Sequence, residues 1–107
     1  MTDNAGRMSV AFQLFLAEAP QQAQAWMTAV RELDATCTLD RKTRHLAYLA
    51  VLAALRLTDG VPFHVGLAKE AGATREEIKS AILVGLPAAG NAVVHALPPA
   101  LEAFDAS

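Results

Sequence analysis

Cysteine is nearly missing from this sequence: Cys37 stands alone among 107 residues. That excludes an intrachain disulfide, and it excludes thiol–disulfide exchange by a cysteine pair. Charge is scarce as well. Lys, Arg, Asp and Glu make up 19% of the chain, and the net charge is −2. Non-specific binding to nucleic acid needs clustered Lys and Arg. The one basic run, Arg41-Lys42-Thr43-Arg44, follows Asp40 and leads into an apolar stretch, as a solvated first turn of a helix does, so no nucleic-acid partner is expected. Long apolar runs are absent too. The longest, Leu46 to Leu55, is too short to span a bilayer, so no membrane partner is expected either. The opening residues, Met-Thr-Asp-Asn-Ala-Gly-Arg, lack the apolar core and cleavage pattern of a signal peptide, and a cytoplasmic protein is the expectation. Strand-like alternation, internal repeats and low-complexity tracts are all missing.

What is present is apolar and helical. Hydrophobic residues form 53% of the chain, above the usual share, with alanine and leucine in surplus, and both favour helix. The length suits a single domain over residues 1–107. A small domain with so much apolar surface must cover part of it with another copy, so a homo-oligomer formed through helices is expected.

Residues 1 to 7 are polar and expected to fray. Phe12, Phe15, Leu16 and Ala19 share one helical face between Met8 and Ala19. Pro20 ends that helix or opens the next, in which Trp26, Ala29, Val30 and Leu33 form a second stripe before Ala35-Thr-Cys-Thr38 interrupts it. Asp40 caps a third helix, with Arg44 four residues on for pairing. From Leu46 to Leu55 this helix is apolar on all sides and is expected to be central and buried.

The densest punctuation lies between Leu57 and Ile78. Thr58-Asp59-Gly60 stops the third helix, and Val61-Pro62 starts a fourth that runs to about Glu70. Gly72 is a left-handed stop, and Thr74-Arg-Glu-Glu77 is a capping box. The fifth helix turns Ile78, Ala81, Ile82, Gly85 and Ala89 inward, with Pro87 kinking or shortening it. Gly85 and Gly90 leave room for a second backbone. Asn91 caps a last helix through Val93, Val94 and Leu97, which Pro98-Pro99 bends or interrupts before Leu101 and Phe104. The fold class is all-α, a small domain of about six helices.

Leu-Asp-Arg-Lys-Thr-Arg-His-Leu-Ala-Tyr-Leu-Ala-Val (39–51), followed by His-Val-x-Leu-Ala-x-Glu-Ala-Gly-Ala-Thr-Arg-Glu-Glu-Ile (64–78), resembles the carboxymuconolactone decarboxylase family, which includes the alkyl hydroperoxidase D proteins. The resemblance covers roughly residues 39 to 95, and its specific part is His64 to Ile78. It implies an alkyl hydroperoxidase D-like helical domain assembled as a homotrimer or homohexamer. It also implies, for redox-active members, a Cys-x-x-Cys pair ahead of a histidine, with a glutamate on the preceding helix. Aligned without gaps, His64 falls on that histidine, Leu57 and Gly60 fall on the two cysteines, and His45 falls on the glutamate. Leu57 and Gly60 offer no thiolate, so a hydroperoxidase of this type is excluded. What remains closer is the decarboxylase branch, which keeps the histidine without the cysteines.

The residues expected to carry chemistry follow from that position. His64 lies near a helix start, where the dipole favours the neutral imidazole, able to act as a base. Asp59, just ahead, pulls the other way if close. His45 is the expected partner across from His64. Backbone N–H groups at Gly60 and Val61 offer a seat for a substrate carboxylate, with Phe63 and Tyr48 as pocket walls. The expected reading is a cofactor-independent decarboxylase or lactone-acid enzyme acting on a small-molecule carboxylate. The spacings of His45, His64 and His95 match no short ligand motif, so no metal is expected. Two other readings stand beside this one: a non-catalytic helical oligomer with both histidines as core residues, and, ranked last, a peroxidase using Cys37 alone.

Overall fold

The structure is a computed structural model and describes residues 4–106. Among these residues it is all helical: α1 (Val10–Glu18), α2 (Pro20–Thr36), α3 (Arg41–Ala54), α4 (Val61–Glu70), α5 (Arg75–Leu83), α6 (Leu86–Ala89) and α7 (Leu97–Asp105). Three 3-10 turns, Asn4–Arg7, Thr58–Gly60 and Gly90–Ala96, join or precede them. The all-α expectation holds.

Side chains or prolines start these helices. Ser9 caps α1 by accepting from Phe12 N at 3.1 Å, and Asp40 caps α3 by accepting from Thr43 N at 2.8 Å. The capping box is present on α5: Glu77 N donates to Thr74 Oγ1 at 3.1 Å and Thr74 N donates to Glu77 Oε1 at 2.9 Å. Helices α2, α4, α6 and α7 each open on a proline in the first two positions, where the missing N–H costs nothing. This bears on three expectations. Of the two outcomes expected of Pro87, a short fifth helix holds and a kink does not: α5 ends at Leu83, the chain breaks at Val84-Gly85, and Pro87 opens α6. Pro98-Pro99 does not interrupt the last helix but lies in its first turn, and Asn91 makes no cap, lying inside a 3-10 turn.

The core is the meeting of α3, α4, α5 and α7. Its largest fully buried side chains are Leu49, Ile78, Ile82, Val61, Val65 and Val93. Each contributes on the order of 1.5–3 kcal/mol by leaving water. Only Ile78 and Ile82 of the expected inward set on α5 are buried; Ala81, Gly85 and Ala89 are half-buried. Among the described residues, its chain neighbours aside, nothing lies within 4 Å of a Cβ placed on Gly90; its positive φ of 78° is what requires glycine there. Helix α3 also departs from expectation. Leu49, Leu52 and Ala53 are buried, but Val51 is 52% and Leu55 61% exposed, so the helix is central on one side only. Arg44 pairs with Asp34 at 3.7 Å, since the Asp40 carboxylate is taken by its cap.

The residues Arg75–Asp105 are long and apolar enough by composition to cross a membrane. In the fold they form three short helices that double back, with α7 packed on α5. Helices α1 and α2 lie chiefly against each other and bury only Ala23 between them. The first residues do not simply fray: Asn4 Nδ2 donates to Phe63 O at 2.9 Å and docks the Asn4–Arg7 turn on α4. The expectation for residues 1–3 lies outside the described residues.

Candidate functional site

A pocket of about 290 Å³ opens between the α1–α2 hairpin and the start of α4. Its floor is Tyr48 on α3 with Gly60, Phe63 and His64 at the α3–α4 junction. Its roof is Met8, Ser9 and Phe12 ahead of and on α1, and Trp26, Met27 and Val30 on α2. The roof forms because successive stripes on α1 and α2 face the same side, and Asn4 anchors the strand of chain leading into α1.

His64 is the centre of the floor. Its ring lies 4.3 Å from the Tyr48 ring, tilted by 37°, and 5.4 Å from Phe63, edge to face. Half-buried among these rings, it is pushed down from 6.5 to about 4, first by loss of water and then by the charge of His45. The imidazole is therefore neutral at physiological pH. Neither of its ring nitrogens has a hydrogen-bond partner among the described residues.

Of the expected site residues, Tyr48, Gly60, Phe63 and His64 come together at one pocket. His45 lies one turn before Tyr48 on α3, close enough for its charge to reach His64, but it does not line the pocket. Its own value is lowered, by burial first and then by Arg44 and Arg41, against the pull of Asp34 and Glu70. Asp59 is exposed on the 3-10 turn and is not among the charges that act on His64. Val61 does not line the pocket, its side chain being fully buried in the core. The expected carboxylate seat on the Gly60 and Val61 amides is corrected. Gly60 N donates to Leu57 O at 3.2 Å and Val61 N donates to Thr58 O, so the tight turn consumes both amides.

Cys37 ends α2 and His95 is exposed on the Gly90–Ala96 turn; neither lines this pocket. Among the described residues no group of three or more His, Cys, Asp or Glu is placed to hold a metal ion. Of the missed roof, Phe12, Met27 and Val30 carried no signal as site residues, while Gly66 signalled the docking of the Asn4–Arg7 turn that leads into Met8 and Ser9. A glycine inside a helix marks a close approach, and a side chain there would overlap the Asn4 amide.

The model of the carboxymuconolactone decarboxylase family matches residues 21–102. The chain belongs to the carboxymuconolactone decarboxylase family. Neither the curated proteins nor the solved structures give a match. The matched span of this family member holds His45, Tyr48 and His64 and runs from α2 into α7, whereas Met8, Ser9 and Phe12 of the pocket roof lie outside it. At the positions where redox members of the carboxymuconolactone decarboxylase family are expected to carry cysteines, this chain has Leu57 and Gly60.

Proposed function

We propose that this member of the family is a small-molecule enzyme in which neutral His64 takes a proton from a bound substrate and returns it to another substrate atom. The observation that carries this reading is the placement of His64: an imidazole in the wall of a half-open pocket, between two aromatic rings, with its nitrogens uncommitted to the protein among the described residues. A neutral imidazole accepts a proton. The imidazolium formed in these apolar surroundings is a strong acid and gives the proton back readily. A shuttle of this kind consumes no other reactant. In a decarboxylation the acid binds in its uncharged form, and His64 takes the proton of the acid group and delivers it to the carbon that loses carbon dioxide. His45, close enough to be felt electrostatically, tunes His64 and is a positioning residue.

Turnover on a panel of lactones and lactone acids tests the reading. His64→Asn is expected to lower kcat about 10²–10⁴-fold with helicity unchanged. Unchanged turnover in the folded variant would overturn it. One observation favours a second reading, a binding oligomer without catalysis: nothing among the described residues hydrogen-bonds the imidazole to fix its tautomer. That reading gives ligand binding with no turnover in either protein.

We also infer self-association. Val10, Leu14, Trp26 and Leu33 on the hairpin, and Val51, Leu55 and Val84 on α3 and beyond α5, are all well exposed in the single chain. Light scattering after gel filtration should give the mass of a trimer or hexamer, and a monomer at micromolar concentration contradicts it.

A further inference from the structure

We propose that the His64 pocket selects an uncharged, flat molecule of about two fused rings and rejects the ionised carboxylate of the same shape. The proposal rests on the reading that this pocket is the working site. Four observations support it.

The first is the lining. Among the described residues no Lys or Arg lines the pocket, and the lining residues with polar side-chain atoms are Ser9, Tyr48, Trp26 and His64. Ser9 already accepts from Phe12 N. A carboxylate brought here would give up water without meeting a cation. The second is the turn beneath it. The amides of Gly60 and Val61, the backbone groups best placed for an anion at the start of α4, are spent on Leu57 O and Thr58 O, and Pro62 has no N–H to give. The third is shape. Phe12, Trp26, Tyr48, Phe63 and His64 present five rings, and Met8 and Met27 add polarisable thioethers that suit a ring edge or face. The volume is about twice the roughly 150 Å³ that encloses a benzene. The fourth is electrostatic: the same surroundings that disfavour an anion also keep His64 neutral, so the pocket resists charge of both signs.

The test uses 2-naphthamide and 2-naphthoate, which are nearly the same in shape and differ in charge. Calorimetric titration of the full chain at pH 7.5 should give at least tenfold tighter binding of the amide. Lowering the pH to 5.5, where more of the acid is uncharged and His64 is still neutral, should narrow the gap. The chain has a single tryptophan, and Trp26 lines this pocket, so its indole N–H resonance reports occupancy here when compared at one protein concentration and matched by a shift of the His64 ring protons. It should shift on adding the amide, and Trp26→Ala should weaken amide binding severalfold. A preference of less than tenfold, a preference for the anion, or binding that leaves the Trp26 resonance in place overturns the proposal. The turnover test on His64→Asn is separate. Amide selectivity with no turnover sinks the enzyme reading alone, and turnover with an anion preference sinks this inference alone.

Discussion

The imidazole of His64 lies 4.3 Å from the ring of Tyr48, centroid to centroid, with 37° between their planes. This ring shields one face of the histidine from water and helps hold it in its neutral form. An NMR titration of His64 should therefore have its midpoint near 4. Tyr48→Ala admits water and should move the midpoint up toward 6.5. A midpoint already near 6.5 in the unaltered protein would show that burial does not govern His64.

The same shift makes stability depend on pH with a definite sign. Folded His64 protonates near 4, whereas in the unfolded chain it does so near 6.5. Between those values the unfolded state binds more protons, so acidification favours unfolding. The contribution is fully present above 6.5 and is lost as pH falls to about 4, amounting to at most roughly 3 kcal/mol. His45, lowered as well, acts in the same direction. Urea titrations at several pH values should show the slope, and His64→Gln should flatten most of it.

Gly66 and Asn4 form a coupled pair. An alanine at 66 displaces the Asn4 amide and breaks its bond to Phe63 O. Against that loss of about 0.5–1.5 kcal/mol stands a helix-propensity gain of about 1 kcal/mol. Gly66→Ala alone should change global stability by less than about 1 kcal/mol while speeding hydrogen exchange in residues 4–7. In an Asn4→Ala background it should stabilise by roughly 0.5–1 kcal/mol. Additive effects in the double-mutant cycle would mean the two side chains do not meet.

Two helix ends share one geometry with different residues. Arg56 N donates to Ala53 O and Leu57 N to Leu52 O at the end of α3; Gly72 N donates to Lys69 O and Ala73 N to Ala68 O after α4. Both central residues are left-handed, with φ of 62° at Arg56 and 99° at Gly72. Arginine is disfavoured there. Arg56→Gly should raise stability by roughly 0.5–1 kcal/mol, and Gly72→Ala should lower it by about 1–2 kcal/mol, as read by chemical denaturation.

Local chemistry was legible in the sequence because it depends on neighbours along the chain. The Asp40 cap, the Thr74–Glu77 box, the Gly72 stop and the junction ahead of His64 all appear where their residues predict. Pro20 and Pro62 open helices as expected, whereas Pro98-Pro99 was misjudged because a proline disrupts a helix interior but suits its first turn, and only the position of the break decides which applies. Four of the ten pocket residues were legible for the same reason: Tyr48, Gly60, Phe63 and His64 lie on adjoining elements. The other six were not, Phe12 and Val30 being legible only as helix-face residues. Met8, Ser9 and Met27 reach the pocket through long-range packing of the hairpin, and Trp26, named only as a possible lining residue, needed that packing to be placed. The carboxylate seat at Gly60 and Val61 was misassigned because the turn that places their N–H groups there also consumes them.

The α1–α2 hairpin supplies the pocket roof yet buries a single residue, Ala23. Phe12, Trp26, Met27 and Val30 are therefore interchangeable in a way that Leu49 or Ile78 is not, since the latter hold the four-helix core. Selectivity and foldability are written in separate parts of the chain. A library confined to the roof should yield mostly folded variants with altered ligand preference, and lineages sharing the floor can diverge in what they accept by changing the roof alone.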